Sequence, residues 1–174
     1  MRLQRLSGVI EGLFRDHAKA DDDDDEGITV DIVRPLFSTL SHLDILDEID
    51  PEGMGPEWLN DLSTLPALTH LSFNNPPNSK ILHTILQACP RIHVLIAAFH
   101  VSEKAEVHAY VEAMGIRDIR FVVATYSDHY GDWELGTMGG ADIWVRVEEF
   151  ISRKKRGEIE ADVYLLEEPM TIDD

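Results

Sequence analysis

Cysteine, positive charge and long apolar runs are all scarce in this sequence of 174 residues. The single cysteine, Cys89, excludes a disulfide within the chain and favours a reducing, intracellular location in the cytoplasm or the nucleus. Lys and Arg number 15 against 33 Asp and Glu, so the formal net charge is -18. This charge argues against nucleic-acid partners and against an anionic membrane surface. No apolar run approaches the roughly 20 residues of a membrane span.

The rest of the composition is that of a globular protein, with 44% hydrophobic and 28% charged residues. The sequence predicts an N-terminal amphipathic helix over residues 1–20, an acidic loop over residues 21–27, a single domain over residues 28–166 and an acidic tail over residues 167–174. The N-terminal helix is predicted because five apolar residues recur at helical spacing. They are Leu3, Leu6, Ile10, Leu13 and Phe14.

The acidic run from Asp21 to Glu26 raises the question of a calcium loop. An EF-hand loop that begins at Asp22 would have Gly27 at its sixth position, as required, but Val33 at the twelfth, where a bidentate Glu is needed. The template therefore fails. The run is predicted to be a solvated loop, and no cofactor is expected.

The middle of the chain repeats itself. The segments Leu40–Leu46, Leu65–Leu71 and Cys89–Leu95 each carry apolar or small residues at positions 1, 4 and 7. Their fourth positions, Leu43, Leu68 and Ile92, are 25 and then 24 residues apart, a period within the range of leucine-rich repeats. A fourth apolar run follows at residues 119–124. Each run predicts a buried strand, with Cys89 as a small packed residue rather than a nucleophile.

Helical patterns separate these runs. They predict a helix with Pro56 in its first turn, a helix that begins at Asn78 or Ser79, and a helix after Ser102. A further helix begins at Asp142 and has a cationic end at residues 153–156, and a strand follows at residues 163–166. Strands alternating with helices imply parallel pairing. The predicted fold is α/β: a degenerate leucine-rich-repeat-like strand–helix stack, with a short parallel sheet on one side, helices on the other and a C-terminal helix–strand cap.

From about Leu62 to Glu168 the chain resembles the C-terminal part of fungal F-box-type proteins with degenerate leucine-rich repeats. The resemblance rests on several phrases: residues 62–71, 85–90, 120–123 and 155–159, and above all Asp132-Trp133-Glu134 with Gly136, Gly139-Gly140, Asp142 and Trp144. It implies an F-box that binds a Skp-type adaptor of a ubiquitin ligase, and repeats that present the substrate. No F-box signature precedes the repeats, so the adaptor is expected only if an F-box lies outside this chain.

The densest group of polar and aromatic residues follows the fourth apolar run. It contains Asp128, His129, Tyr130, Asp132, Trp133 and Glu134. We interpret it as a surface loop that supplies aromatic anchors and charge for partner recognition, with no catalytic and no metal-binding residue. The function predicted is non-catalytic protein recognition, with a basic partner favoured by the acidic surface.

Two alternatives stay open at this stage. A metal-assisted or acid–base hydrolase would use His129 with Asp128, Asp132 or Glu134, because a histidine beside carboxylates can bind a metal ion or act as a general base. Alternatively, the chain is a truncated stack whose open edge is covered by the helix at residues 1–14 or by a second copy. The scattered histidines do not favour a metal cage, since His42 and His70 occupy equivalent strand positions.

Overall fold

The computed structural model of the protein describes residues 3–8, 35–47 and 57–168. The chain divides into two compact units, Met1–Ile92 (unit 1) and His93–Asp174 (unit 2), and the boundary falls inside the domain predicted over residues 28–166. The predicted acidic loop and residues 169–174 of the predicted tail lie outside the described residues. Within the described ranges, no helix is long and apolar enough to cross a bilayer.

Unit 1 is built from parallel strands and their connecting helices. Its elements are β1 (Arg5–Gly8), a 3-10 helix (Pro35–Thr39), β2 (His42–Ile45), α1 (Glu57–Thr64), β3 (His70–Phe73) and α2 (Ser79–Ala88). Strand β1 pairs with β2, and β2 pairs with β3, both in parallel. Because no hairpin can join parallel neighbours, each strand is followed by a crossover connection.

The first strand overturns part of the N-terminal prediction. Residues Arg5–Gly8 form β1 rather than part of a helix over residues 1–20, and residues 9–20 lie outside the described residues. Leu6 is paired with Leu43, and the backbone N–H of Leu46 donates to the carbonyl of Gly8 at 3.2 Å. A short isolated helix is marginal in water, so the hydrogen bonds offered by β2 outweigh a helical spacing of apolar residues.

The register between β2 and β3 differs from the predicted repeat. Leu43 pairs with Leu71, three residues beyond the predicted equivalent Leu68. Leu68 is instead buried in the turn before β3, where its N–H donates to the carbonyl of Leu65 at 3.4 Å. Turn and strand leucines thus bury equally well, and apolar spacing alone could not distinguish them. The predicted equivalence of His42 and His70 is confirmed, because these residues are register partners.

The two helices of unit 1 agree with their sequence signals. Helix α1 (Glu57–Thr64) confirms the helix predicted in this segment, while Pro56, predicted in its first turn, lies outside the described residues. Helix α2 begins after Asn78, whose side chain accepts a hydrogen bond from the N–H of Ile81 at 3.2 Å. Cys89, which follows α2, is buried as predicted, with 5% of its surface exposed.

Unit 2 is also an α/β arrangement. Its elements are β4 (Val94–His100), a 3-10 helix (Val101–Glu103), α3 (Lys104–Met114), β5 (Phe121–Tyr126), α4 (His129–Thr137), α5 (Ile143–Lys155) and β6 (Leu165–Leu166). Strand β5 pairs in parallel with β4 and with β6. The predicted α/β class with parallel strands is therefore confirmed, and β6 is two residues shorter than the predicted final strand.

Helices cover both faces of the strands in unit 2. On one face, α5 packs Trp144 and Val147 among residues of β4 and β5 such as Val122. On the other face, the ring of Phe99 in β4 lies edge-on to Tyr110 of α3, with centroids 5.1 Å apart. The prediction of helices on one side only is wrong for this unit. Both strands are apolar on both faces, and such strands must be covered twice.

Helix ends in unit 2 follow their predicted signals. Gly115 ends α3 in the left-handed conformation, with φ of 60°, which a side chain would disfavour. Asp142 caps α5, and its side chain accepts from the N–H of Val145 at 3.0 Å. The last turn of α5 carries Arg153, Lys154 and Lys155, where cations complement the helix dipole.

Candidate functional site

The predicted recognition residues lie at the carboxyl ends of the parallel strands in unit 2, the edge where open α/β sheets usually bind ligands. The sequence predicted a surface loop for these residues. In the structure they belong instead to helix α4 and to Asp128, the residue that caps it. Asp128 begins the helix by accepting a hydrogen bond from the N–H of Gly131 at 3.0 Å. A Cβ at Gly131 would lie 2.5 Å from Oδ2 of Asp128, so a side chain at this position would displace the capping carboxylate. Gly131 and Gly136 lower the helix propensity of α4, so the sequence does not predict a helix here.

Asp132 points toward the body of unit 2 and ties α4 to α5. One carboxylate oxygen, Oδ2, accepts from the N–H of Ile143 at 2.8 Å, at the first turn of α5. The other, Oδ1, lies 2.9 Å from Nη1 of Arg146. Both oxygens are thus engaged by the next helix, and Asp132 acts as a link between two elements rather than as an exposed contact residue.

The environment of Asp132 opposes its ionisation. Burial raises the pKa of Asp132, and the nearby Asp142 carboxylate acts in the same direction. The hydrogen bond from Ile143 and the charge of Arg146 lower the pKa in part, without cancelling the effect of burial. The link between α4 and α5 therefore holds a carboxylate that would be more easily protonated than an exposed one.

Arg146 connects this link to the segment after β6. Its Nη1 atom lies 3.8 Å from Oε1 of Glu168, and the backbone N–H of Glu168 donates to Oγ1 of Thr125 at 2.7 Å. Arg146 Nη2 and Glu168 Oε2 are buried atoms without a hydrogen-bond partner among the described residues. This charged cluster consists of Thr125, Asp132, Arg146 and Glu168.

Four aromatic rings form a row along the same edge. His100, Tyr126, His129 and Tyr130 contact one another in this order, edge to face, with centroid distances of 5.8, 5.7 and 5.7 Å. His100 also accepts from the N–H of Ser102 at 3.3 Å through Nδ1, and so caps the 3-10 helix that follows β4. The row is fixed at the His100 end and reaches solvent at Tyr130, which is 81% exposed.

The outer side of α4 is where the predicted anchors reach solvent. Tyr130, Glu134 and Met138 follow one another at four-residue spacing, and all three are exposed, Met138 to 75%. Trp133 and His129 are only half-buried, and Asp128 is exposed but engaged as the cap. The six predicted residues are therefore divided: Asp132 faces inward, while Tyr130 and Glu134 lie on the outer face with Met138.

The structure does not assemble the predicted hydrolase ligands into a metal site. Within residues 3–8, 35–47 and 57–168, no three His, Cys, Asp or Glu side chains are placed so that they could hold a metal ion. Asp128 is used as a cap and Asp132 as the partner of Arg146. The hydrolase alternative stays a prediction from the sequence, and no contact described here favours it.

Sequence reasoning missed four residues that shape this edge. Arg146 and Glu168 have no local motif, because their roles depend on contacts between elements 22 residues apart in sequence. Tyr126 had a usable signal, since it lies two residues beyond the apolar run predicted over residues 119–124, and polar or aromatic residues at that end of a strand often contact ligands. Met138 lay one helical turn beyond the predicted cluster, on the same side of α4.

Comparisons with protein-family models, with curated proteins and with solved structures find no match to this chain.

Proposed function

We propose that this chain is a non-catalytic protein-recognition module that binds a basic partner through the outer face of α4. We further propose that it is a degenerate leucine-rich-repeat-like stack related to the substrate-binding part of F-box-type ubiquitin-ligase receptors. A Skp-type adaptor would join only through an F-box outside this chain. The observation that carries the binding proposal is the exposed line of Tyr130, Glu134 and Met138.

The chemistry of this face suits a partner protein. Tyrosine and methionine are enriched at interfaces, because each buries a large area and adapts to a partner surface. Glu134 lies between them, and the chain as a whole carries a net charge of -18. Such a charge accelerates encounter with a cationic partner and disfavours an acidic one.

The link through Asp132 supports recognition by keeping the face in place. With both carboxylate oxygens engaged by α5, helix α4 is held from its inner side. A face held in its bound geometry loses less conformational entropy on association than a mobile loop does. An anchor residue on a supported helix is therefore a better recognition element than the loop predicted from the sequence.

Contacts in unit 1 support the repeat-like part of the proposal. The side chain of Asn75 donates to the carbonyl of Leu46 at 2.8 Å, across neighbouring strand–helix units. The rings of His42 and His70 stack at 4.1 Å, at paired positions of β2 and β3. Side chains at equivalent positions of successive units thus contact one another, as expected of a stack whose units cover their neighbours.

The binding proposal is tested with immobilised peptides of defined composition. Basic peptides containing Lys, Arg and Leu should capture the protein, whereas acidic peptides of the same length and apolar content should not. Replacing both Tyr130 and Met138 with Ala should reduce capture at least tenfold, by loss of about 1–2 kcal/mol per anchor. Raising the salt concentration should also weaken capture.

A matched control uses two other exposed apolar residues of unit 2, Ile119 and Val163, which precede β5 and β6 at the opposite strand ends. The variant with both replaced by Ala should bind like the wild-type protein. Equal binding of the α4 variant and the wild type would show that this face is not the recognition surface. Equal capture by acidic and basic peptides would contradict the choice of partner.

A further inference from the structure

Unit 2 contains a cavity of about 370 Å³, lined by residues of helix α5 and by the carboxyl-terminal parts of β5 and β6. Its apolar lining includes Ile143 and Val145 of α5, Leu166 of β6 and the two small residues Ala124 and Ala141. Ala124 and Leu166 are register partners in the sheet. The volume is within the range of ligand pockets, so the cavity is large enough to accept an apolar group.

The apolar lining is accessible from solvent. Val145 is 44% exposed, Ala141 is exposed, and Ile143 and Leu166 are half-buried. Apolar side chains that gather around one cavity are typical of interaction surfaces, whereas singly scattered ones are ordinary. An apolar side chain from a partner would contact this lining directly, without reaching any buried polar atom.

The lining is held in place by the rest of unit 2. Ile143 and Leu166 pack against the hydrophobic core of this unit. The N–H of Ile143 donates to Asp132 at 2.8 Å, and the N–H of Val145 donates to Asp142 at 3.0 Å. Because its walls are fixed, the cavity loses little conformational entropy when it is filled.

The charges around the cavity are mostly negative. Glu149 and Glu167 both line it, and each side chain is 61% exposed. Oε1 of Glu149 accepts a hydrogen bond from Arg156 at 2.9 Å. Among the described residues, Arg146 is the only cation of the lining, and it lies 3.8 Å from Glu168, which offsets its charge. The lining therefore carries three carboxylates and one guanidinium.

This excess of negative charge selects among the possible occupants. A second copy of the chain would bring its own net charge of -18 and would be repelled. A basic peptide would be attracted, and its cations would compensate the carboxylates around the cavity. The charge therefore favours a basic partner over a second copy.

The cavity lies within reach of the proposed recognition face. Ala141 follows Met138 by three residues, so their Cα atoms are at most about 11 Å apart. An extended peptide of about four residues spans that distance. A partner that contacts Met138 on the outer face of α4 can therefore extend to the cavity.

We propose that this cavity receives an aliphatic side chain, of the size of leucine, from the basic partner that contacts the outer face of α4. The inference rests on the proposed function and adds the sequence feature that the partner must carry, an aliphatic residue with Lys or Arg nearby. The aliphatic side chain contacts Ile143, Val145 and Leu166, while the cationic residues face Glu149 and Glu167.

Three fluorescent peptides of equal length and charge test the occupant. Each has three Lys or Arg residues on either side of a central Leu, Ala or Ser. Fluorescence anisotropy on the full chain should give a dissociation constant at least about tenfold lower for the Leu peptide than for the Ala peptide, because leucine buries more apolar surface. The Ser peptide should bind no better than the Ala peptide. Equal affinities would overturn this inference and leave the basic-partner proposal intact, whereas no binding of any peptide would contradict both.

Two variants test the location of the site. Ala141→Phe places a ring in the cavity and Val145→Ser removes apolar lining, so each should reduce the ratio of the two affinities to below about threefold. The control Val163→Ser changes a similarly exposed valine of unit 2 that does not line the cavity, and should leave the ratio unchanged. Because the ratio compares two peptides on one variant, a general loss of binding does not alter it. A ratio unchanged in both cavity variants would overturn the assigned site.

Light scattering tests the other occupant, a second copy of the chain. Since like charges disfavour self-association, the wild type and Val145→Ser should have the same mass in solution. A dimer of the wild type that Val145→Ser dissociates would overturn the proposal, because a second copy would then cover the cavity.

Discussion

Lys154 is a charged side chain that α5 buries, with only 7% of its surface exposed. Its Nζ atom donates to the carbonyl of Val163 at 2.7 Å and lies 3.8 Å from the centroid of the Tyr164 ring. Burial lowers the pKa of this ammonium group. We predict that Lys154→Met, which keeps the aliphatic stem, lowers the free energy of unfolding by about 1–2 kcal/mol, because a charged hydrogen bond and a cation–π contact are lost. Urea unfolding at pH 7 measures the change.

The neighbouring Lys155 provides the matched control, since it is exposed in the same last turn of α5. Lys155→Met removes the same charge from the chain and should change the free energy of unfolding by less than about 0.5 kcal/mol. The difference between the two variants therefore reports the contacts of Lys154 alone. Equal losses would show that net charge, not the buried contacts, determines the effect.

Cys89 is the second residue whose environment makes a testable difference. Burial raises the pKa of its thiol above the ordinary value, and the charge of Arg91 opposes this only in part. The folded pKa therefore exceeds the unfolded one. Its contribution to stability is complete below the unfolded pKa, near 9, and is lost as the pH rises through the folded pKa.

We predict that an aromatic disulfide reagent at pH 8 reacts with native Cys89 at least a hundredfold more slowly than with the unfolded chain in urea. Because the chain has one cysteine, the absorbance change reports this residue alone. The free-energy difference between the wild type and Cys89→Ala should also decrease as the pH rises above the ordinary thiol pKa, because the unfolded chain then loses its thiol proton before the folded chain does. Fast reaction of the native thiol would contradict its burial.

The link between α4 and α5 is a property of two elements. Asp132→Ala would leave the N–H of Ile143 and the guanidinium of Arg146 without their shared acceptor. We predict a loss of about 2–3 kcal/mol in the free energy of unfolding, with amide hydrogen exchange accelerated in α4 and in the first turn of α5.

Asp132→Asn should lose less, because the amide oxygen can still accept from Ile143 while the charge facing Arg146 is gone. Glu134→Ala, on the exposed side of α4, serves as the control for helix propensity and should be nearly neutral. If exchange in α4 is the same in Asp132→Ala as in Glu134→Ala, the helix does not depend on this link.

How far the sequence predicts the elements depends on where their signals lie. Helices α2 and α5 were predicted because Asn78 and Asp142 are local caps before apolar stripes. Helix α4 was missed because its stabilising contacts come from α5, while its own sequence contains two glycines and no buried residue. Strand β1 was mistaken for a helix because its pairing with β2 involves residues almost 40 positions away.

The candidate site was predictable in position but not in geometry. The sequence placed the concentration of aromatic and acidic residues directly after a buried strand, and in the structure these residues follow β5. Asp132 turns inward because it pairs with Arg146, in the first turn of α5. Arg146 in turn lies close to Glu168, which follows β6. The spacing of residues 128–134 does not show which side chains contact Arg146 and Glu168. For this reason the sequence predicted a loop, whereas the structure has a helix with an inner and an outer side.

At the scale of the whole molecule, the dominant feature is the excess of 18 negative charges on 174 residues. Like charges repel one another more strongly in the compact state than in the expanded one. We predict that the free energy of unfolding rises between 10 mM and 300 mM NaCl at pH 7, as the Debye length falls from about 30 Å to about 6 Å. Urea unfolding at the two salt concentrations measures this change in the free energy of unfolding.

At pH 5, close to the sequence pI of about 4.6, the repulsion is smaller, so the same change in salt should have less effect on the free energy of unfolding. A free energy of unfolding that falls with salt at pH 7 would mean that attractive ion pairs, such as that of Arg146 with Asp132, outweigh the net repulsion.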